Sequence, residues 1–453
     1  MPDVRPPDPS NRQRRVRRDL FSAALCLCAL ALPVFVSASD TPYELEPISY
    51  SDPQVADPVA ALQARLHSGE QKLDYEPANG YLRAVLRALD IPESSQTLVF
   101  SKTSFQRDRI GPETPRAVYF NDDVYIGWVQ GGDVVEVSSV DPQKGAIFYS
   151  LSQYESDSPR FRRHTHECLQ CHDSSLSQGV PGHVMRSVYS DARGLPVLTA
   201  GTFVTTPQSP LKERFGGWYV SGTHGQQVHM GNLIVRERDH KQHPERIDLA
   251  AGGNARDLSQ HFDTEPYLTP HSDLVALQVL AHQVHVHNLI TRANYQTRLA
   301  VRDQISINKA LNKPEDDPLE STRSRIRSVG EPLLRALLFA DEPPLTEPIA
   351  GTSGFTEDFS RHGPRDRQGR SLREFDLKTR LFRYPCSFLI DSDAFDALPE
   401  PQLAFLADRL QTILAGEDTT GRYQNLSPED RQAVREILLE TKPEFTKRWT
   451  QKE

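Results

Sequence analysis

The sequence predicts an α+β fold, with a β-rich N-terminal part, a middle part that contains a long helix, and a helical C-terminal part. Short β-branched or aromatic runs alternate with turn residues in the first third of the chain. In the second half, apolar residues instead recur every three or four positions, which is the period of an amphipathic helix. The two periods occupy separate stretches of the chain, and this segregation is typical of α+β proteins.

A polar segment and one short helix are expected to precede the strands. Residues 40–75 are rich in Pro and Asp and are predicted to form loops. Residues 80–90 have the pattern of a short amphipathic helix, which Pro92 ends. Five β-branched or aromatic runs follow, at residues 97–101, 117–120, 124–129, 134–140 and 146–151. Their spacing, with turn residues between them, predicts an antiparallel meander.

The remaining elements are predicted from the same signals. The middle helix is predicted within residues 271–295 and starts near Ser272 or Asp273. It carries His282 on an apolar stripe, so His282 is predicted to be buried, while His287 points elsewhere. Residues 341–374 are rich in Pro, Gly and charge and are expected to be a connector. Further strands are expected at residues 184–189, 197–205 and 216–220, and further helices at 319–339, at 401–415 and after the N-cap Ser427.

Residues 168–172 read Cys-Leu-Gln-Cys-His, which is the Cys-x-x-Cys-His attachment site of a c-type haem. The two thiols add to the two vinyl groups of haem, and the His that follows ligates the iron from the proximal side. With 5 Cys and 15 His in 453 residues, this spacing arises by chance roughly two times in a thousand. The sequence therefore predicts one covalent haem c, held by Cys168 and Cys171, with His172 as the proximal iron ligand.

Three other readings of the motif are open. A zinc site could use the two Cys with His164 or His166, but the chain lacks a second Cys pair at finger spacing. A thioredoxin-like pair should follow a buried strand, whereas the preceding segment SPRFRRHTHE is polar. A plain disulfide would leave His172 without a role.

The sequence determines the sixth iron ligand less clearly than the proximal ligand His172. Met230 is our first candidate, because it lies far beyond His172 in a Gly-flanked turn that can approach the macrocycle closely. A thioether there would raise the reduction potential. The alternatives are His224, His229 and His282, and two His ligands would lower the potential instead. Three basic residues before the motif are candidate partners for the haem propionates: Arg160, Arg162 and Arg163. A solvated basic loop would explain the same residues equally well.

The N-terminus has the regions of a secretory signal peptide in order. Residues 1–18 are rich in Arg, residues 20–36 are apolar, and a small-residue cleavage site ends at Ala38. The apolar run is shorter than a typical membrane span, and an uncleaved anchor is the alternative. We therefore expect cleavage after Ala38 and a periplasmic or secreted protein, which is the compartment in which haem c is attached.

The charge of the mature chain bears on its partners. Without the leader, which carries six Arg and three Asp, the chain has 46 basic and 58 acidic residues and a net charge of −12. This balance argues against nucleic acid and anionic lipid as partners, and it suits docking to a basic redox partner protein. No apolar run after the leader is long enough to span a membrane. With two Cys assigned to haem, Cys386 is expected to be a buried structural thiol.

Three segments together form a recognisable pattern: the motif with Gly-Val-Pro-Gly at residues 179–182, GGWYVSGTHG at 216–225, and YPCSFLI at 384–390. In these segments the chain resembles a family of large, uncharacterised bacterial exported proteins, the cytochrome c domain-containing proteins. The resemblance implies a covalent haem and a periplasmic location. Among iron and haem ligands it carries over only Cys168, Cys171 and His172.

These observations predict four segments and one leading function. The segments are a signal peptide at residues 1–38, a β-rich region at 39–160, a haem c-binding region at 161–345, and a connector with a helical region at 346–453. The leading function is that of a periplasmic monohaem c-type cytochrome in electron transfer. The alternatives are a haem enzyme, peroxidase-like with an open distal site, and a haem-based sensor or binding protein. A dihaem peroxidase is disfavoured, since the motif occurs once.

Overall fold

The computed structural model of the protein describes residues 43–102, 104–235 and 246–450. The expected signal peptide lies outside the described residues. The predicted α+β class is confirmed, because an antiparallel sheet occupies the N-terminal half and helices dominate the C-terminal half. Within the described part of the chain, no helix combines the length and the apolar character that crossing a bilayer requires.

The main sheet has seven strands, and every neighbouring pair in it is antiparallel. The predicted meander is confirmed as five consecutive neighbours. They are β1 (Thr97–Val99), β2 (Arg116–Phe120), β3 (Val124–Trp128), β4 (Val134–Asp141) and β5 (Gly145–Ser152). The polar segment before the motif adds an edge strand, β6 (Phe161–His164), that we did not predict, since an edge strand can leave much of its surface in solvent.

Three further strands come from the segments predicted after the motif. β7 (Arg186–Val188) and β8 (Thr202–Val204) pair with each other as a separate ribbon. β9 (Trp218–Tyr219) instead joins the far edge of the main sheet beside β1. The chain therefore leaves the sheet after β6, forms the motif, and returns to close the opposite edge.

The two faces of the sheet belong to different cores, because side chains alternate along each strand. On one face, Tyr119 and Ile126 pack with the N-terminal segment. On the other face, Phe120 and Tyr125 pack with the long middle helix. This second face also carries Phe148. Phe148 lies opposite Ser138 in the strand register, and its ring contacts the ring of His172.

Ten α-helices lie in the described ranges, and the fourth in chain order, α4 (Leu274–Ala310), organises the C-terminal half. It is longer than predicted, and its first half is buried almost all round, so His287 is buried as well as His282. Asp273 caps it by accepting hydrogen bonds from the N–H groups of Val275 and Ala276. The other helices are α1 (Pro58–Ser68), α2 (Leu82–Ala88), α3 (Leu169–His172), α5 (Glu320–Leu337), α6 (Phe355–Arg361), α7 (Asp393–Asp396), α8 (Glu400–Leu414), α9 (Pro428–Thr441) and α10 (Pro443–Thr450).

The helices confirm most of the predicted pattern and correct it in three places. Residues 40–75 were expected to be loop, but α1 forms there, capped by Asp57. Its weak signal has a physical reason, since only Val59 and Leu62 of this helix are buried. The expected connector at residues 341–374 contains α6, and α10 follows α9 at the end of the chain.

Candidate haem-attachment site

The motif forms one turn of helix, α3, which begins after Cys168 and ends at His172. The N–H groups of Cys171 and His172 both donate to the carbonyl oxygen of Cys168, at 3.2 and 3.0 Å. Residues three and four apart are neighbours on a helix surface, so this turn gathers both thiols and the imidazole. Both Cys are free thiols, with Cys168 half-buried and Cys171 exposed. The arrangement suits a group that binds all three side chains.

The imidazole of His172 is held by a reciprocal pair of bonds to Gly182. Its Nδ1 lies 2.9 Å from the carbonyl oxygen of Gly182, and the N–H of Gly182 donates to the His172 carbonyl, also at 2.9 Å. A carbonyl only accepts, so Nδ1 carries the proton and Nε2 keeps its lone pair. Desolvation also lowers the pKa of His172, which favours the neutral ring. A neutral imidazole with a free Nε2 is the form that ligates a metal.

The loop that carries Gly182 is anchored to α4. The side-chain amide of Asn288 accepts from the N–H of His183 at 2.9 Å and donates to the carbonyl of His183 at 2.7 Å. A Cβ atom on Gly182 would lie 2.3 Å from Oδ1 of Asn288, so this close approach requires glycine at position 182. The long helix thereby determines where the bonding partner of His172 lies.

Sequence reasoning missed the polar and aromatic residues beneath the motif. The ring of Phe148 lies 4.7 Å from that of His172. Next to it, Nε2 of His183 is 2.7 Å from the hydroxyl of Ser138, and the ring of Tyr125 is 4.3 Å from that of His183. No local pattern marks these residues, because strand register brings them together: Tyr125 lies opposite Ser138, and Ser138 lies opposite Phe148.

His287 belongs to the same buried group. Its Nδ1 lies 2.8 Å from the hydroxyl of Tyr125, which also accepts from the side-chain amide of Gln283 at 3.0 Å. Burial, together with the charge of His282, lowers the pKa of His287 to about 3. The ring therefore stays neutral, and it links α4 to the face of the sheet beneath the motif.

The thiol environment weakens the thiol-redox reading of the motif. Burial raises the pKa of Cys168 to about 11, and the negative charges of Glu136 and Glu167 act in the same direction. Reactive cysteines have the opposite property, a pKa lowered by neighbouring positive charge. A nearby guanidinium, that of Arg116, is already paired with Glu136 at 2.8 Å. The site therefore disfavours the thiolate on which dithiol chemistry depends.

The two histidines considered for a zinc site have different surroundings. His164 lies on β6, with Nε2 at 2.8 Å from the hydroxyl of Ser150 and Nδ1 at 3.4 Å from Glu167. His166 is exposed to solvent. Across the described ranges, no group of three or more His, Cys, Asp or Glu side chains has the arrangement of a metal site.

The three arginines before the motif differ in what they contact. Arg163 donates to the backbone carbonyls of Tyr50 and Asp52, at 2.7 and 2.8 Å. Arg162 is exposed and lies 3.7 Å from Glu167, and Arg160 is exposed as well. The predicted pairing of these residues with haem propionates stays a prediction, and Arg163 is the one whose guanidinium already has other partners.

Met230, the first candidate for the sixth ligand, is buried in a small apolar cluster with Tyr189, Val197 and Leu233. Its sulfur accepts a hydrogen bond from the hydroxyl of Ser187 at 3.5 Å. A thioether in such surroundings fills core as an ordinary side chain does. The bond from Ser187 thus engages one lone pair of the Met230 sulfur within this cluster.

His224 and His229 lie together, with ring centroids 4.8 Å apart. Nε2 of His224 accepts from the N–H of Asn254 at 2.9 Å, and Nδ1 of His229 accepts from the N–H of Gly231 at 3.0 Å. In a neutral ring the other nitrogen then carries the proton. Neither ring presents a free lone pair in this arrangement, so iron ligation would require a different tautomer and the loss of a backbone bond.

His282 is buried, as predicted, and is held within the helical core. Its Nε2 lies 2.8 Å from the hydroxyl of Ser387, and its ring stacks on Phe339 at 4.4 Å.

Among the described residues, Phe148 is the one aromatic ring in contact with His172. The structure thus brings Cys168, Cys171 and His172 together and holds the four candidates for the sixth position by other partners.

Comparison with known proteins adds no family to this description. The chain matches no protein-family model, no curated protein and no solved structure. The assignment of a function therefore rests on the residues of the site and on the chemistry that their arrangement permits.

Proposed function

We propose that the protein is an exported monohaem c-type cytochrome that transfers electrons in the periplasm or outside the cell. Cys168 and Cys171 would hold haem c through two thioethers, and His172 would be the proximal iron ligand. One observation carries the proposal: a single helical turn presents two free thiols and an imidazole whose Nδ1 proton is directed at the carbonyl of Gly182. That orientation leaves Nε2 available for iron.

When bound, the haem would supply a one-electron couple, Fe(II) to Fe(III). The chain's own residues have three tasks. The thiols keep the group attached, His172 binds the metal through Nε2, and Phe148 packs against the imidazole. The exposure of Cys171 supports an attachment edge close to the surface, where a partner protein could approach. The net charge of the mature chain, −12, suits a basic redox partner.

The second candidate is a haem enzyme, peroxidase-like, with an open distal site. The observation that favours it is that Met230, His224, His229 and His282 all have other partners. Electron transfer favours six-coordinate, low-spin iron, whereas peroxide chemistry needs an accessible iron face. The absorption spectrum of the purified ferric protein, with and without cyanide, separates the two. A high-spin spectrum that cyanide converts to low-spin would support the enzyme.

The attachment is tested by producing the full chain in a bacterium that exports it and attaches haem c. We expect wild-type protein in the periplasmic fraction with haem that survives acid-acetone extraction. The double variant Cys168→Ser, Cys171→Ser should lose this haem completely, and the control variant Cys386→Ser should keep it. Covalent haem in the double variant, or its lack in the wild type, would contradict the proposal.

A further inference from the structure

The side chain of Asn288 is buried on α4, with 3 % of its surface exposed, and both of its polar atoms bond to a single residue. Its Oδ1 accepts from the N–H of His183 and its Nδ2 donates to the carbonyl of His183. A residue of a neighbouring β-strand would make the same two bonds to His183 with its backbone carbonyl and N–H. Asn288 therefore fixes the backbone at position 183 in both translation and rotation, and it does so from the middle of the long helix.

The N–H of His183 and the carbonyl of Gly182 belong to the same peptide group. Electrons are delocalised across that group, because its C–N bond has partial double-bond character. The carbonyl accepts from Nδ1 of His172 at 2.9 Å, and the N–H donates to Asn288 at 2.9 Å. One planar unit thus connects the imidazole to the helix, and hydrogen bonds in such a chain strengthen one another.

We propose that Asn288 is a positioning residue for His172, and that it tunes the iron ligand through this peptide group. This inference rests on the proposed function. By accepting from the N–H, Asn288 makes the Gly182 carbonyl a stronger acceptor for the Nδ1 proton. A stronger bond at Nδ1 raises the basicity of Nε2. A more basic ligand stabilises Fe(III) and lowers the reduction potential.

The neighbouring residues agree with this role. Glycine at position 182 leaves room for Oδ1, because a Cβ atom there would lie within 2.3 Å of it. The hydroxyl of Ser177 lies within hydrogen-bond distance of three carbonyl oxygens at the other end of the loop, those of Val180, Ser174 and His172, at 2.9, 3.0 and 3.2 Å. The position of the imidazole is thus set from both sides of the loop, while its electronic character depends on the Asn288 side.

The main test replaces Asn288 with Leu, which has a similar shape and no polar atoms. In the haem-loaded protein we expect the Fe(III)/Fe(II) equilibrium to move toward Fe(II) by about tenfold, which is ~59 mV for one electron. The matched control is Asn294→Leu. Asn294 is also buried on α4, but its amide donates to the carbonyl of Ala397 at 3.1 Å. Equal shifts in both variants would overturn the inference.

The variant Asn288→Asp keeps an acceptor for the N–H of His183. We expect its potential to equal that of the wild type or to lie below it, because an ionised carboxylate is the stronger acceptor. A merely loosened structure would move the potentials of the Leu and Asp variants in the same direction. A potential above the wild type in Asn288→Asp would therefore count against Asn288 as the tuning residue.

A second measurement, of the tautomer of His172, does not depend on bound haem. Nitrogen NMR of the haem-free protein reports which nitrogen of His172 carries the proton. We expect the Nδ1–H form in the wild type and in Asn294→Leu, and a mixture with the Nε2–H form in Asn288→Leu. An unchanged tautomer would sink this inference, whereas a wild-type protein that never attaches haem would sink the proposed function alone.

Discussion

Ser387 and His282 are joined by a bond of 2.8 Å between the serine hydroxyl and Nε2 of the imidazole. Glu342 lies on the other side of the ring, with its Oε1 at 3.5 Å from Nδ1. A serine, a histidine and a carboxylate in this order are found in hydrolases, but here Ser387 and His282 are both fully enclosed. The bond instead ties the C-terminal region to α4 and explains why His282 is held in the core.

We expect Ser387→Ala to lower the free energy of unfolding by ~1–3 kcal/mol, because it leaves Nε2 of His282 buried without a partner and removes the acceptor for the N–H of Leu389. Urea unfolding followed by circular dichroism measures the change. The control is Ser328→Ala, which removes an exposed hydroxyl bonded to the carbonyl of Arg325 and should change stability by less than ~0.5 kcal/mol. Equal effects would show that the bond to His282 adds nothing.

Gly182→Ala should disturb the site more than a glycine substitution elsewhere. The new Cβ would lie 2.3 Å from Oδ1 of Asn288, whose side chain is bonded to the backbone and cannot move freely. We expect a loss of ~1–3 kcal/mol in stability and less than half the covalent haem of the wild type. In the control Gly111→Ala the nearest atom is 3.7 Å away, so haem content should be unchanged. Full haem content in Gly182→Ala would contradict the requirement for glycine at this position.

His287 should make stability depend on pH. Its pKa is about 3 in the folded protein against an ordinary 6.5, so unfolding takes up a proton between these pH values. The folded state is favoured above pH 6.5, and the advantage falls as the pH is lowered toward 3. His287→Asn keeps a polar atom near the hydroxyl of Tyr125 and removes the group that takes up this proton on unfolding. Between pH 3 and 6.5, the slope of unfolding free energy against pH should fall by ~1.4 kcal/mol per pH unit. An unchanged slope would refute the lowered pKa of His287.

The prediction that Met230 is the sixth ligand has its own spectroscopic test. An iron–thioether bond gives the ferric protein an absorption band at ~695 nm. If Met230 is the sixth ligand, as the sequence predicts, the wild type shows this band and Met230→Ala loses it. Met185→Ala is the matched control, since Met185 is also a buried methionine of the described chain. A wild-type spectrum without the band would remove Met230 and leave a histidine or an open site.

Cys386 should behave as a structural thiol, which is the role predicted for it. It is fully buried, and burial raises its pKa well above the ordinary value. In haem-loaded protein cleaved after Ala38, which lacks Cys26 and Cys28, we expect no reaction with a thiol reagent in the native state and a single reactive thiol after unfolding in guanidinium. Cys386→Ala should show none in either state. Rapid labelling of the native protein would contradict burial.

Local sequence was sufficient for features that depend on short spacing. The Cys-x-x-Cys-His pattern, the strands of the meander and the start of α4 at Asp273 all follow from residues within one or two turns of each other. Burial of His282 also followed from its place on an apolar stripe. The length of α4 did not, because its polar second half packs against α5, where Arg325 pairs with Asp303 at 2.7 Å.

Contacts between distant parts of the chain were decided only by the tertiary structure. The approach of Asn288 to Gly182 joins residues more than a hundred positions apart, and strand register places Tyr125, Ser138 and Phe148 in one row. No period in the sequence encodes such pairings, because they depend on how the sheet packs against the helix. The motif thus predicts which residues would hold a haem, while the fold determined which residues orient His172.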